Sequence, residues 1–381
     1  MQLVVLVTVL VSATHSCQEI RVKAEDGGVV LGRSFDFSDI PTAVSYLETE
    51  PAGTEHKAPA LPNCAGDPFS FKNRWKTILA KGKVGGKSGD TALDGVNDAG
   101  LSTSVLYFDG NAEFTDPESI TGTTCDNAIP QTMTTSYILA AYQTVEEVRK
   151  DLEEENFPVV WAGIDISTGV VHPIHFNIMD RTGAGLVLEH VREGVKWYDN
   201  TIGVLTNSPP YPWHMENLRN YPHFQKNDKG REGFKYSSLG HDYSLSPQWT
   251  GSGLLGLPGD WTSPSRFVKA ATLLALAPTP ATTDDAIVQV FHHMNAADIP
   301  FGIMEKKVSN LSSFNWWVLV KDLTRRCVYY RAYIDLSVKK ICLKDAPEVL
   351  SKVKVEGKFN EGIWDESGQM EPVLPDEHTE L

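Results

Sequence analysis

Apolar and polar residues alternate over two short stretches near the start of the chain. Ile20, Val22 and Ala24 stand at every second position, Asp26-Gly27-Gly28 supplies a turn, and Val29-Val30-Leu31 leads into Gly32-Arg33-Ser34-Phe35-Asp36-Phe37. A period of two interrupted by a Gly-bearing turn predicts a β-hairpin over residues 18–37, folding the chain back beside its own beginning. Residues 38–70, rich in Pro, Glu, Ala and Gly, read as an irregular loop. A further strand pair surrounds Asp94-Gly95-Val96-Asn97-Asp98-Ala99-Gly100, its second strand covering 101–108. From 134 to 155 the spacing turns helical, with Thr144-Val145-Glu146-Glu147 in the form of a capping box within it. Strands return at 159–166, 175–180, 185–191, 194–198 and 203–206. A loop rich in glycine, aromatic and charged residues follows over 209–260. Two helices, 265–276 and 283–293, and two strands, 315–320 and 328–334, close the pattern.

Strands, then helices, then strands again, linked by hairpins, predict an α+β fold with antiparallel sheets and helices layered outside them. No repeat or linker divides the chain, so residues 17–357 read as one domain. An acidic, Pro-containing tail over 358–381 follows, loosely attached.

Composition changes this picture at the ends and at the cysteines. The apolar run over 3–11, followed by small and polar residues up to Ser16, has the form of a secretory signal over 1–16, although Met1-Gln2 lacks the usual basic start. Cleavage before Cys17 then gives a secreted or periplasmic protein. No other run approaches the ~20 apolar residues of a membrane span. A net charge of -15, with no Lys/Arg block, excludes sequence-independent binding to nucleic acid or anionic membrane. The five cysteines, Cys17, Cys64, Cys125, Cys327 and Cys342, are odd in number, so an oxidising compartment leaves one thiol over or forces an intermolecular bridge. Cys17 is the natural odd one out. Cys327 and Cys342 flank a strand-like stretch and can meet across a hairpin, but the sequence does not assign the pairing.

A chain beginning at Cys17 carries a thiol and an α-amine on one residue. The amine titrates near pH ~8 and can take the thiol proton without a histidine. The plain alternative is a half-cystine; lipid attachment is disfavoured by Thr14 three positions earlier. Arg33 and Asp36 stand on the strand returning beside Cys17, where a guanidinium favours thiolate and a carboxylate orients the amine. Their opposite parity points them to opposite faces of a regular strand, so both reach Cys17 only if the strand ends or bulges near Ser34-Phe35. A surface ion pair is the competing account. Asn207, closing Leu205-Thr206-Asn207-Ser208-Pro209, is either a turn residue or an amide donor for an oxyanion. Arg266, in Ser263-Pro264-Ser265-Arg266-Phe267, sits in a first helical turn, where its charge opposes the helix dipole, which hints at a task beyond helix formation.

Other patterns carry less. Gly82-Lys83-Val84-Gly85-Gly86-Lys87-Ser88 is one residue short of a phosphate loop and no helix follows it. His172 and His175 have opposite parity on a strand, and His292 and His293 are adjacent on a helix, so neither pair suits a metal. Asn310-Leu311-Ser312 is a sequon, meaningful only in a eukaryotic secretory pathway.

With these residues in place, the chain resembles the choloylglycine hydrolase family, which holds penicillin V acylases and conjugated bile acid hydrolases. The resemblance runs from Cys17 to about Asp335. It rests on Cys17, Gly32-Arg33-Ser34-Phe35-Asp36-Phe37, Asp94-Gly95-Val96-Asn97 leading into Gly100-Leu101, Pro173-Ile174-His175-Phe176, Leu205-Thr206-Asn207-Ser208-Pro209 and Ser265-Arg266-Phe267. It implies an N-terminal nucleophile hydrolase fold, a four-layer αββα sandwich of two antiparallel sheets. It also implies Cys17 as nucleophile with its own amine as base, Arg33, Asp36 and Arg266 as charged neighbours, and Asn207 with the Tyr107 backbone N–H as oxyanion donors. Tyrosine at position 107 leans toward the penicillin V acylase branch, where bile-salt-specific members carry asparagine.

The implied reaction needs no metal or organic cofactor, acts on a small-molecule acyl amide and is compatible with a homotetramer. The long loops at 38–70 and 209–260 depart from the family pattern and are expected to border the acyl pocket. Two rival readings stay open: a secreted, disulfide-bonded binding protein, and an acid-ceramidase-like amidase that cuts itself internally.

Overall fold

The structure is a computed structural model that describes residues 16–38, 44–84, 87–165, 168–227, 234–238, 241–245, 250–305 and 312–355. The predicted signal segment up to residue 15, the tail after 355 and most of the sequon lie outside the described residues. In chain order the first strands are β1 (Gln18–Lys23), β2 (Val29–Ser38), β3 (Val44–Glu50), β4 (Thr77–Val84), β5 (Lys87–Asn97) and β6 (Leu101–Tyr107). Helices α1 (Thr134–Ala141) and α2 (Val145–Glu153) follow. Strands β7 (Ile174–Asp180), β8 (Gly185–Val191), β9 (Gly194–Asp199) and β10 (Val204–Leu205) come next, then helices α3 (Tyr211–Asn217), α4 (Ser263–Leu276) and α5 (Thr283–Asn295). Strands β11 (Met304–Glu305), β12 (Ser312–Asp322), β13 (Cys327–Ala332), β14 (Asp335–Cys342) and β15 (Ser351–Lys354) end the described chain.

Two antiparallel sheets face each other. The first runs β10-β1-β2-β12-β13-β14, with β11 beside β12; the second runs β9-β8-β7-β6-β5-β4-β3-β15. Helices α4 and α5 cover the first sheet, and α1 and α2 cover the second, giving the four-layer αββα sandwich. Each layer follows from side-chain pattern. In β2 the helix-facing position is Gly32, where a Cβ would stand 2.3 Å from Val290 Cγ1, so α5 packs close on the strand. In α5, Ala286, Ile287, Val290 and Met294 form the buried stripe, and Thr282 with Asp285 makes a reciprocal capping box at its start.

Four local expectations need correction, the first being the loop over 209–260, where Tyr211–Asn217 form α3 behind Pro210. Residues 38–70 are not all loop, because β3 lies in the second sheet with Tyr46 and Leu47 buried. Its acidic residues disguise it: Glu48 and Glu50 are bonded by Lys81 of β4 at 2.5 and 3.0 Å. The helical span 134–155 breaks at Tyr142, which is extended. Thr144 therefore caps a new helix, accepting from the Glu147 N–H at 3.2 Å, while the Glu147 carboxylate takes the Gln143 N–H at 2.8 Å. The strand expected over 159–166 is only Val159–Trp161. Disulfides join Cys64 to Cys125 and Cys327 to Cys342, the latter across β13 and β14, and Cys17 is the free cysteine.

Candidate active site

Cys17 stands just before β1, an inner strand held between β10 and β2, with Gln18 opposite Ser34 and Glu19 opposite Arg33. This pairing carries the buried thiol past the end of the β1–β2 hairpin, over the gap between the sheets. Arg33 is wholly buried there. Its Nη1 donates to the Leu93 carbonyl at 2.7 Å, its Nη2 donates to the Val105 carbonyl, and Nη2 lies 3.7 Å from the Cys17 sulfur. The guanidinium carbon also sits 5.6 and 5.5 Å from the rings of Phe35 and Trp317.

Asp36 reaches the same residue from the opposite face. β2 does not end or bulge at Ser34-Phe35; the irregularity is in its neighbour β12, between Asn315 and Trp317. The parity conflict is resolved because the two side chains approach different sides of residue 17. Arg33 meets the sulfur from between the sheets, and Asp36 turns toward the α4 side and Arg266. The Asp36 backbone N–H also bonds the sulfur. Its carboxylate is fully buried and neither oxygen has a hydrogen-bond partner. Burial raises that carboxyl to about 8 against the pull of Arg266 and Arg33, with Asp298 adding to the rise.

Arg266 lies in the first turn of α4, behind Pro264. Its side chain runs inward: Nη1 donates to the Cys17 carbonyl at 2.6 Å, Nη2 to Asn207 Oδ1 at 2.7 Å and Nε to the Trp261 carbonyl at 3.0 Å. The cost of opposing the helix dipole is offset by three carbonyl acceptors in a buried pocket. Asn207 Nδ2 donates to the Tyr107 carbonyl at 2.8 Å, so Tyr107 and Asn207 meet at the ends of β6 and β10. The main chain of Asn207 is held on both sides. Its N–H donates to Ser263 Oγ at 2.9 Å, and its carbonyl accepts from His214 Nε2 at 2.9 Å. Burial lowers His214 to about 4, against the Asn207 carbonyl, which favours the charged ring, so the bond is made by the neutral Nε2–H form.

The thiol feels competing influences. Burial raises its pKa most strongly; Arg33, the Asp36 N–H and Arg266 lower it, and the Asp36 carboxylate raises it. Cys17, Arg33, Asp36, Tyr107, Asn207 and Arg266 therefore converge on one place from β2, β6, the end of β10 and α4.

The sequence reading missed a second set of side chains. Glu19, Asp94 and Lys321 form a buried ion network beside Arg33, and Ser263 and His214 brace Asn207. A lysine inside the apolar run of β12 and an acid two residues after Cys17 on the same strand face were the available signals. His175 is a structural residue: its Nε2 donates to the Thr206 carbonyl at 2.9 Å and Nδ1 lies 3.2 Å from Glu189 Oε1. His172 precedes β7 and bonds Thr168 Oγ1 at 2.9 Å. Among the described residues no cluster of His, Cys, Asp or Glu has the form of a metal site.

This constellation can hold a thiolate, orient a group on residue 17 and present an amide donor, which is a set suited to acyl transfer. Known proteins resemble the chain accordingly. The sequence profile of linear amide C–N hydrolases, choloylglycine hydrolase family, matches residues 17–349. A bile salt hydrolase/transferase of Clostridium perfringens is 33% identical over 253 residues, 66% of this chain and 72% of the relative. A penicillin V acylase of Pectobacterium atrosepticum is 23% identical over 266 residues, 66% of this chain and 62% of the relative. A solved mutant of the conjugated bile acid hydrolase from Clostridium perfringens matches with a TM-score of 0.72 at 23% identity, covering 90% of this chain and 97% of the other.

Proposed function

The chain belongs to the choloylglycine hydrolase family of linear amide C–N hydrolases, and from that premise we propose that Cys17 is its nucleophile once residues 1–16 are removed. The observation that carries this reading is the Asp36 carboxylate, buried without a hydrogen-bond donor and within electrostatic reach of Cys17. Few folded proteins leave a carboxylate orphaned in this way. Cleavage before Cys17 supplies the missing donor, an α-ammonium, which also favours the ionised carboxylate.

The steps follow from the placement of the groups. The α-amine takes the thiol proton, and Arg33 and Arg266 stabilise the thiolate. Sulfur attacks the substrate carbonyl, forming a C–S bond. The second hydrogen of Asn207 Nδ2 and the Tyr107 N–H stabilise the oxyanion, each such donor contributing about 3 kcal/mol. The α-ammonium protonates the amine as the C–N bond breaks. Water gives a proton back to the α-amine as it attacks the thioester, releasing the acid and restoring the thiol.

The substrate class that fits is an amide with a hydrophobic acyl part: penicillin V, an N-acyl homoserine lactone or a bile-acid conjugate. Tyr107 favours the penicillin V type on the family pattern, whereas the higher identity of the bile salt hydrolase/transferase favours bile-acid conjugates. The two disulfides favour export to an oxidising compartment, in keeping with a signal over 1–16 and a mature domain over 17–357. Amide hydrolysis within this family sets aside the non-catalytic binding protein.

The test combines mass spectrometry of the protein from its native host with turnover of Cys17→Ser on these three substrates. A chain beginning at Cys17 and a folded variant slowed by about 10⁴-fold or more are expected. A mature chain beginning elsewhere, or wild-type-like turnover by the variant, overturns the assignment.

A further inference from the structure

A row of buried charges runs alongside Arg33, and the steps above leave it without a task. Lys321 of β12 is 1% exposed, Glu19 of β1 is 1% exposed and Asp94 of β5 is wholly buried. Lys321 Nζ donates to Glu19 Oε1 at 2.8 Å and closely to Asp94 Oδ1. Glu19 Oε2 accepts from Asn177 Nδ2 at 2.7 Å and from Ser104 Oγ. The other oxygen of Asp94 faces Arg33: Nη1 is 3.5 Å from Oδ2, and Oδ2 has no hydrogen-bond partner. Asp94 is thus committed to Lys321, and it leaves the Arg33 fork bound to the Leu93 and Val105 carbonyls, with Nη2 toward sulfur.

Such a network is a poor source of stability, because desolvating several charges offsets most of their attraction. Its geometry does something else. A carboxylate free to turn would close a forked pair on Arg33, the strongest arrangement open to a guanidinium, and would cancel the positive field at Cys17. We propose that Lys321 is a positioning residue for Arg33: by holding Asp94 it keeps the guanidinium charge directed at the Cys17 sulfur. This rests on Cys17 being the nucleophile.

The groups facing the sulfur are Arg33 and Asp36 from β2, Arg266 from α4, and Glu19, Asp94 and Lys321 behind Arg33; Asp298 stands beyond Asp36, and His214 beyond Asn207 and Arg266. Only Lys321 among them bridges Asp94 to Glu19.

The test reads the thiol directly, through the pH dependence of iodoacetamide alkylation of the protein beginning at Cys17. Lys321→Met is expected to move the apparent thiol pKa up by about one unit. It should also lower amide kcat/KM at neutral pH about tenfold with KM unchanged, the loss shrinking as pH rises. Adding Asp94→Asn to Lys321→Met removes the competing carboxylate and should bring the alkylation profile most of the way back, and Lys321→Arg should stay close to wild type. Asp94→Asn alone, which keeps Lys321, should lower the apparent pKa, and it covers the case in which Lys321→Met does not fold. An unmoved profile in Lys321→Met, a double variant no better than the single one, or a raised pKa in Asp94→Asn overturns the proposal. Alkylated wild-type protein that still hydrolyses amide instead overturns the role of Cys17, while the thiol profiles continue to report on Lys321.

Discussion

The two faces of the second sheet are built from the same strands but differ in content. Toward α1 and α2, strands β6, β7 and β8 present Leu101, Val105, Ile174, Phe176, Ile178, Leu186 and Leu188, packed with Ile138, Val148 and Leu152. Toward the first sheet the intervening positions mix apolar Val96, Leu106, Met179 and Val187 with Asp94, Ser102, Ser104, His175, Asn177 and Glu189, all buried. A sandwich ordinarily fills its inner gap with apolar side chains. Here the gap is apolar in part, with Leu106, Met179 and Val187 meeting the first sheet, and in part holds charges that aim Arg33 and brace the strand ends around Cys17, at a desolvation cost that the outer face does not carry. The buried charges thus lie one strand's thickness from a mostly apolar face.

The sharpest way to break this division is on the site side. Arg266→Ala removes three buried hydrogen bonds, two of which fix Cys17 and Asn207, and should reduce acylation by about 10³-fold, roughly 4 kcal/mol. Pre-steady-state release of the amine product measures it, and a change of less than tenfold would return Arg266 to a packing role. On the outer face, Phe176→Ala should cost about 3 kcal/mol in denaturant unfolding while turnover per folded molecule stays near wild type. A large drop in turnover there would show that the faces are not independent.

His190 sharpens the contrast from the other direction, as a polar residue on the apolar face. It packs against Phe114 and Phe176 with both ring nitrogens unpartnered, and burial lowers its pKa to about 4. The unfolded chain, titrating near ~6.5, takes up this proton before the folded one does. Stability is therefore full above about pH 6.5 and falls as pH drops toward 4, by at most about 3 kcal/mol for this residue. His214, also lowered to about 4, contributes in the same window. His190→Leu should flatten the acid slope measured by urea titration without removing the part due to His214. An unchanged slope would assign the whole dependence elsewhere.

Much of this arrangement was legible in the order of residues. Alternation gave the opening hairpin, and the helix expected over 283–293 is α5. Arg266, Arg33 and Asp36 could be picked out because they broke a local rule, an arginine in a first helical turn and a charged pair on an apolar strand, whereas Asn207 read equally as a turn residue and Tyr107 came only from the family resemblance. What escaped were features fixed only by distant partners. β3 hid behind acids that Lys81 neutralises from β4. The opposite parity of Arg33 and Asp36 read as a conflict because residue 17 was pictured as having one side to approach. Lys321 gains its partners only when β1 and β5 bring Glu19 and Asp94 to it, from 302 and 227 positions away.

The place of β2 in the first sheet has a consequence for how such a chain comes into being. Arg33 lies opposite Glu19 on one side and Leu319 on the other, so its strand is completed by one made nearly three hundred residues later. A nascent chain that has passed the first two hundred residues already holds Cys17, Arg33, Asp36 and the Leu93 and Val105 carbonyls that bind Arg33, yet lacks β12 beside β2 and Arg266 beside Cys17. Closure of the first sheet around Arg33 therefore waits for β12, a delay of the kind that long-range strand pairing imposes on any late-closing sheet.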